Sequence, residues 1–259
     1  MGAALSGNAR GAVSEIRFHA LADGRRIAFC HTPGSDPTLV FLPGYMSDMG
    51  GSKATAVFEW AQAQGRACLL LDYSGCGASS GDFADGTLSR WRDEVIALIQ
   101  ATCRGPIILI GSSMGGWLML LAALELGTRV AGLIGIAAAP DFTQWGFDGV
   151  QKEALARGET VLRANPYGPE PTPTYPAFWA DGQRSRLLHS RIALDCPVRL
   201  VHGQMDEDVP FRVLLKLAAA LHSADVQVTL IKDGDHRLSR DRDIALLLRI
   251  VAALAEPSP

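Results

Sequence analysis

A chain of 259 residues, 48% hydrophobic and 20% charged, can bury a full core and has the make-up of an ordinary globule, not a disordered or fibrous chain. Its net charge of −3 leaves no basic footprint for nucleic acid. No apolar run reaches the ~18–20 residues of a membrane span, and the N-terminus lacks the charged-then-apolar pattern of a secretion signal.

Taken in chain order, Ser14 to Phe18 and Arg26 to Cys30 alternate like two strands joined by a turn at Asp23-Gly24, an antiparallel edge. Thr38 to Leu42 reads as the first buried strand and ends in Pro43-Gly44-Tyr45. A helix over Lys53 to Gln64 and a buried strand over Ala67 to Leu71 follow. After the glycine- and serine-rich loop from Asp72 to about Gly86, a helix starts at Thr87. It carries Trp91, Val95, Leu98 and Ile99 at helical spacing. Strands at Ile107–Ile110, Val130–Ala138, Val198–Val201 and Val226–Ile231 alternate with helices at about 114–126, Phe211–Leu221 and Arg240–Ala255. The last helix sets Ile244, Leu247, Leu248, Val251 and Leu254 on one face. Such alternation predicts an α/β architecture: a mostly parallel eight-stranded sheet with helices on both faces, in one domain over residues 1–259. Ligands of such sheets bind beyond the carboxyl ends of the strands.

Between Pro140 and Cys196 the rhythm fails, which predicts a cap inserted over residues 140–196. One polar helical pattern, Gly149 to Ala156, precedes a run with Pro166, Pro169, Pro171, Pro173 and Pro176. Seven of the 18 aromatic residues lie here: Phe142, Trp145, Phe147, Tyr167, Tyr175, Phe178 and Trp179. They either hold the cap together or wall an apolar pocket. Phe142, Trp145, Phe178 and Trp179 are the expected pocket residues.

The chemistry is concentrated at Gly111-Ser112-Ser113-Met114-Gly115, where a buried strand breaks straight into an apolar helix. A turn so abrupt forces Ser113 into strained φ/ψ, leaves room only for small residues on either side, and lifts the Ser113 hydroxyl above the sheet. The Met114 N–H then stands at a helix start with no partner in the helix and is free to hold an oxyanion. A second donor is expected from the loop after the third strand, so the Tyr45 N–H is assigned; Ser112 is expected to pin the turn. A serine nucleophile needs a base and the base an orienter, in the order Ser, acid, His along this kind of chain. His236, after the last strand, is the expected base, with His202 as rival and better read as tying its loop. His189 and His222 read as solvated. Asp206 is the expected orienter. Asp208 is the alternative but better suited to capping the next helix, and Asp72 is a third choice that precedes the serine. Cys76 could line the pocket but reads as inert.

Five cysteines, Cys30, Cys68, Cys76, Cys103 and Cys196, are odd in number and form no CxxC pair, so reduced thiols are expected. That suits the cytoplasm, or the mitochondrial matrix in a eukaryote. Met1-Gly2 with Ser6 matches the myristoylation pattern, at too few fixed positions to count.

With these parts placed, the segments FLPGYMSDMGGSKA, LDYSGCGASSGDF, GSSMGGWLMLLAA, CPVRLVHGQMDEDVP and GDHRLS resemble the α/β-hydrolases. Within them they are similar to the abhydrolase-domain branch of palmitoyl-protein thioesterases and acyl-glucuronide esterases. The likeness runs from about Thr38 to the C-terminal helix and implies an α/β-hydrolase fold with Ser113, Asp206 and His236 at the catalytic positions. The expected activity is hydrolysis of carboxylic esters or thioesters with an apolar acyl group, through an acyl-enzyme. No metal and no organic cofactor are expected. The expected partner is a small-molecule ester or thioester, an S-acyl protein among the candidates, with no nucleic acid and no membrane span. Two readings stay open: a small-amide peptidase or aminopeptidase, and a ligand-binding protein that kept the fold without catalysis.

Overall fold

The computed structural model describes residues 15–166 and 168–256; Met1-Gly2, Ser6, Ser14 and Tyr167 lie outside them. Eight strands form one sheet in the order β1-β2-β4-β3-β5-β6-β9-β10. They are β1 (Arg17–Ala20), β2 (Arg26–Thr32), β3 (Ser35–Leu42), β4 (Arg66–Leu71), β5 (Ile107–Ser112), β6 (Val130–Ile136), β9 (Val198–Gly203) and β10 (Val226–Ile231). β2 runs antiparallel to both of its neighbours, and every other pairing is parallel. The β1–β2 edge and the mostly parallel eight-stranded sheet thus follow the sequence pattern, with β1 starting at Arg17 and pairing Phe18 with Ala28.

Successive side chains on a strand point to opposite faces, so a strand covered on both sides must be apolar at every position. β5 shows the consequence. Ile107 and Leu109 join a core with Leu98, Trp117, Leu118 and Leu217, while Ile108 and Ile110 join a second core with Val57, Phe58, Leu247 and Val251. The first core is closed by α2 (Leu88–Thr102), α3 (Met114–Leu126) and α7 (Phe211–Ala220), and the second by α1 (Ser52–Ala63) and α8 (Asp241–Ala255). α8 buries Leu247 and Val251 on the face its periodicity marks, along with Asp243, whose carboxylate accepts from Arg240 Nε at 2.7 Å. α3 has no polar side because it lies between the sheet and the segment that follows β6; from Met114 to Ala123 every residue is buried.

That segment, 140–196, is more ordered than its prolines suggest. It holds α4 (Phe142–Trp145), α5 (Gly149–Ala156), a hairpin of β7 (Val161–Arg163) with β8 (Thr172–Thr174), and α6 (Pro176–Arg184). Pro173 sits inside β8, an edge strand with one partner, where its missing N–H costs nothing. Pro176 starts α6 at the first helical position, where no N–H is needed. One carboxylate fastens the segment to the sheet domain: Asp181 accepts from Ser89 N and Oγ at 2.8 and 3.0 Å; a second, Asp141, ties the segment's start to its later part by accepting from the Leu187 and Leu188 amides.

Candidate active site

Ser113 occupies the tip of the β5–α3 turn with φ 54° and ψ −119°, a left-handed backbone that a side chain adopts only under constraint. The constraint is a three-way clasp. Ser113 N donates to Ile136 O at 2.9 Å, and its carbonyl accepts from Gly116 N at 2.9 Å and Ala139 N at 3.0 Å. A Cβ on Gly115 would stand 2.1 Å from Leu42 O, so α3 packs directly on the end of β3. Because the obstacle is backbone, Gly115→Ala is expected to cost about 3 kcal/mol, read as a fall in the thermal unfolding midpoint. A variant as stable as the native chain would show that the turn is looser than described.

The loops after β9 and β10 are tied to each other in the same manner. Gln204 N donates to Ile231 O and Met205 N to Gly234 O, both at 2.9 Å. A Cβ on Gly203 would fall 2.1 Å from Gly234 O. This close approach brings the two loops' side chains together. His236 Nδ1 lies 2.9 Å from Asp206 Oδ2, and His236 Nε2 lies 3.1 Å from Ser113 Oγ. Asp206 Oδ1 accepts from the amides of Asp208 at 3.0 Å and Val209 at 2.8 Å. Burial alone would raise this carboxyl, but hydrogen bonds from His202 and His236, the His236 charge and the Val209 N–H outweigh it. The carboxyl is held well below the usual range.

Met114 opens α3, so its N–H has no acceptor inside the helix. Gly44 is close enough that a Cβ on it would lie 3.4 Å from Ser113 Cβ, which sets the Pro43-Gly44-Tyr45 turn beside the serine. The Tyr45 side chain matters more than a backbone role implies. Its hydroxyl donates to Pro173 O of β8 at 3.0 Å, and its ring meets Phe83, Trp91, Phe142 and Phe178 at 4.9–6.3 Å. Burial raises the phenol well above its ordinary value, so it stays a neutral donor.

A cavity of about 710 Å³ opens over these groups, lined by Ser113, His236, Tyr45, Phe142 and Trp145 among others. Phe178 and Trp179, expected on its wall, do not line it. Phe178 is buried against Tyr45, Trp91 and Phe142, and Trp179 donates to Thr143 O at 3.1 Å, because α6 packs its aromatic face downward onto α2 and the Pro43–Tyr45 turn. Sequence reasoning missed the polar half of the lining, which includes Lys53, Arg163 and Arg237. Lys53 is half-buried and donates to Arg237 O; burial, helped by the Arg237 charge, brings its ammonium down to about 8. Arg163 lies 4.5 Å over the Phe147 ring and donates to Gly146 O at 3.1 Å. No periodicity marks such residues, though each lies near an element end.

The remaining candidates have other duties. Asp72 accepts from Met49 N at 2.7 Å and Ala78 N at 2.8 Å, locking two loops, and burial raises its carboxyl. Asp208 does not cap the next helix: α7 starts after Pro210 with no side-chain cap, because the Asp208 and Val209 amides are turned back onto Asp206. His189 is exposed, and His222, also exposed, pairs with Asp195 at 2.7 Å. His202 is fully buried. Burial pushes the Cys76 thiol up to about 12, far from a reactive thiolate. Ligand atoms of Asp206, Asp208 and His236 fall within 4.8 Å of one another. Two of them already bond each other, so a cation there would have to break the His236–Asp206 contact. No helix among the described residues is long and apolar enough to cross a membrane.

Comparison with known proteins finds relatives over most of the chain. The alpha/beta hydrolase family matches residues 39–253. The mouse mitochondrial palmitoyl-protein thioesterase ABHD10 is 43% identical over 227 residues, 86% of this chain and 76% of the relative. Its human counterpart is 37% identical over 248 residues, 94% of this chain and 81% of the relative. Among solved structures, a putative hydrolase from Agrobacterium vitis S4 superposes with a TM-score of 0.87 at 37% identity, covering 93% of this chain and 100% of that one. Alpha/beta hydrolase domain-containing protein 10 from mouse does so with a TM-score of 0.87 at 38% identity, covering 93% and 98%.

Proposed function

The chain belongs to the alpha/beta hydrolase family, and from that premise we propose that it cleaves carboxylic esters or thioesters by way of a Ser113 acyl-enzyme. One observation carries the reading: the His236 ring bridges Ser113 Oγ and Asp206 Oδ2 at hydrogen-bond distance on both sides. His236 Nε2 takes the hydroxyl proton as Oγ attacks the acyl carbonyl. Asp206 holds the other ring nitrogen protonated, so Nε2 is free to act as the base and the imidazolium is stabilised as it forms. The developing oxyanion is received by the N–H groups of Met114 and Tyr45, each worth ~3 kcal/mol of transition-state stabilisation. The tetrahedral adduct collapses as His236 protonates the leaving alcohol or thiol. Water then repeats the sequence on the acyl-enzyme with the same groups.

Residues 140–196 act as a cap over this site. The apolar wall of Met46, Phe142 and Trp145 takes the acyl group, and the polar side carrying Lys53 and Arg237 takes the leaving group. Relatives whose names read palmitoyl-protein thioesterase favour a fatty S-acyl group on a small thiol or a protein as substrate. Five free thiols, four of them buried, suit a reducing compartment, the cytoplasm or, as in the relatives' names, mitochondria.

The test is a fluorophosphonate probe alongside a substrate panel of p-nitrophenyl esters, S-acyl peptides and aminoacyl anilides. Labelling at Ser113 with turnover of esters and thioesters is expected. Preferential cleavage of the anilides would replace the reading with a peptidase, and a native protein that neither labels nor turns over would replace it with a binding protein.

A further inference from the structure

His202 is the penultimate residue of β9, four residues before Asp206, and its side chain has no exposure. Its Nε2 lies 2.8 Å from Val209 O and 3.1 Å from Asp206 Oδ2. Both neighbours are acceptors, so Nε2 carries the proton. Among the described residues no group hydrogen-bonds Nδ1, which is buried. A proton on Nδ1 would find no acceptor among the described residues, so the ring's N–H is placed on Nε2.

That single N–H sits where it can hold the acid from two sides. The Val209 residue whose carbonyl it reaches is the one whose own amide donates to Asp206 Oδ1 at 2.8 Å. The carboxylate oxygen it faces is the one that accepts from His236. Resting on the Ser113 mechanism above, we propose that His202 is a positioning residue: its Nε2–H, shared between the Val209 carbonyl and Asp206 Oδ2, fixes the Asp206 carboxylate so that Oδ2 points at His236. It also divides the charge on Oδ2 between two imidazoles.

The variants His202→Phe and His202→Gln separate this role from packing. Phe fills the ring's space without a donor, whereas Gln can place an amide N–H near the Nε2 position. The charged residues that line the cavity with His236, namely Asp48, Lys53, Arg163, Glu207, Asp208 and Arg237, are the same in all three proteins, so differences between profiles report residue 202. For His202→Phe the expected result is a fall in kcat of about 10-fold or more, as for a lost hydrogen bond to a charged group. KM should stay within about twofold, since the bond does not touch substrate. The acidic limb of the kcat profile should move upward by roughly half a pH unit or more, because Oδ2 is then left to the His236 imidazole alone. His202→Gln should recover most of kcat and the native limb.

Phe and Gln variants that match the native enzyme, or that fall alike with an unmoved limb, would overturn the proposal. If the Phe variant does not fold, imidazole nitrogen NMR of the native protein decides. A ring whose proton stands on Nε2 is expected, and a proton on Nδ1 overturns the proposal. Failure of the underlying mechanism looks different, because the native enzyme would then not label at Ser113.

Discussion

Replacing Ser113 with Ala is expected to lower kcat by ~10⁶-fold while leaving the fold in place. The size follows from how the parts depend on one another. Without Oγ the proton that His236 Nε2 is placed to accept at 3.1 Å no longer exists, and no acyl-enzyme forms. The residual rate should still exceed that in water by ~10³–10⁴, since the Met114 and Tyr45 amides and the cavity remain to bind the carbonyl and its oxyanion. Stability should barely change. The Ser113 side chain makes no capping bond to α3, and alanine keeps the Cβ that bears the strain at φ 54°. Turnover of an S-acyl peptide, fluorophosphonate labelling and a thermal melt, run on the same preparation, check all three. Loss of labelling with an unchanged melt is the expected pattern, and a variant retaining even a hundredth of native turnover would remove Ser113 from the mechanism.

How far the sequence discloses such a site depends on how each part is built. The sheet is legible because strands buried on both faces need apolar residues throughout, as in Ile107–Ile110, and because crossover helices interrupt them at regular intervals. Ser113, Asp206 and His236 are legible for a related reason. A parallel sheet delivers its carboxyl ends to one rim, and the glycines beside those ends, Gly111, Gly115, Gly203 and Gly234, mark where backbones must come too close for a side chain. The insertion obeys neither rule. β8 reads Thr-Pro-Thr, with no alternation to betray a strand, and α6 starts at a proline that looks like a breaker until its position is known. An aromatic count finds the seven rings but not their direction, and Phe178 and Trp179 point into the protein instead of the cavity. The polar lining is less legible still. Lys53 comes from the first helix and Arg237 from the last loop, and their meeting is a property of the closed fold. Asp208 shows the limit of local rules: beside Val209-Pro210 it looks like a helix cap, yet its amide is recruited by Asp206 two residues back.

Asp206→Asn is expected to cost ~10⁴ in kcat, and the hydrogen bonds around the carboxylate show why so conservative a change does so much. Oδ1 accepts two backbone N–H groups, from Asp208 and Val209, and Oδ2 faces two imidazole nitrogens, His236 Nδ1 and His202 Nε2. An amide has one oxygen and one NH₂, so one pair of neighbours must meet a donor. Backbone amides cannot change tautomer, whereas imidazoles can. The oxygen therefore stays with Asp208 and Val209, and the NH₂ turns to the histidines. His236 Nδ1 must then act as acceptor, which moves its proton to Nε2 and aims a donor at Ser113 Oγ in place of a base. His202, with Val209 O still holding its Nε2–H, meets a second donor, and the buried mismatch should lower stability by about 1–3 kcal/mol. The variant should thus lose turnover and fluorophosphonate labelling rate together, with a modest fall in the melting midpoint. Imidazole nitrogen NMR should show His236 protonated on Nε2. If turnover falls while the His236 proton stays on Nδ1, then Asp206 acts through its charge alone and not by setting the tautomer.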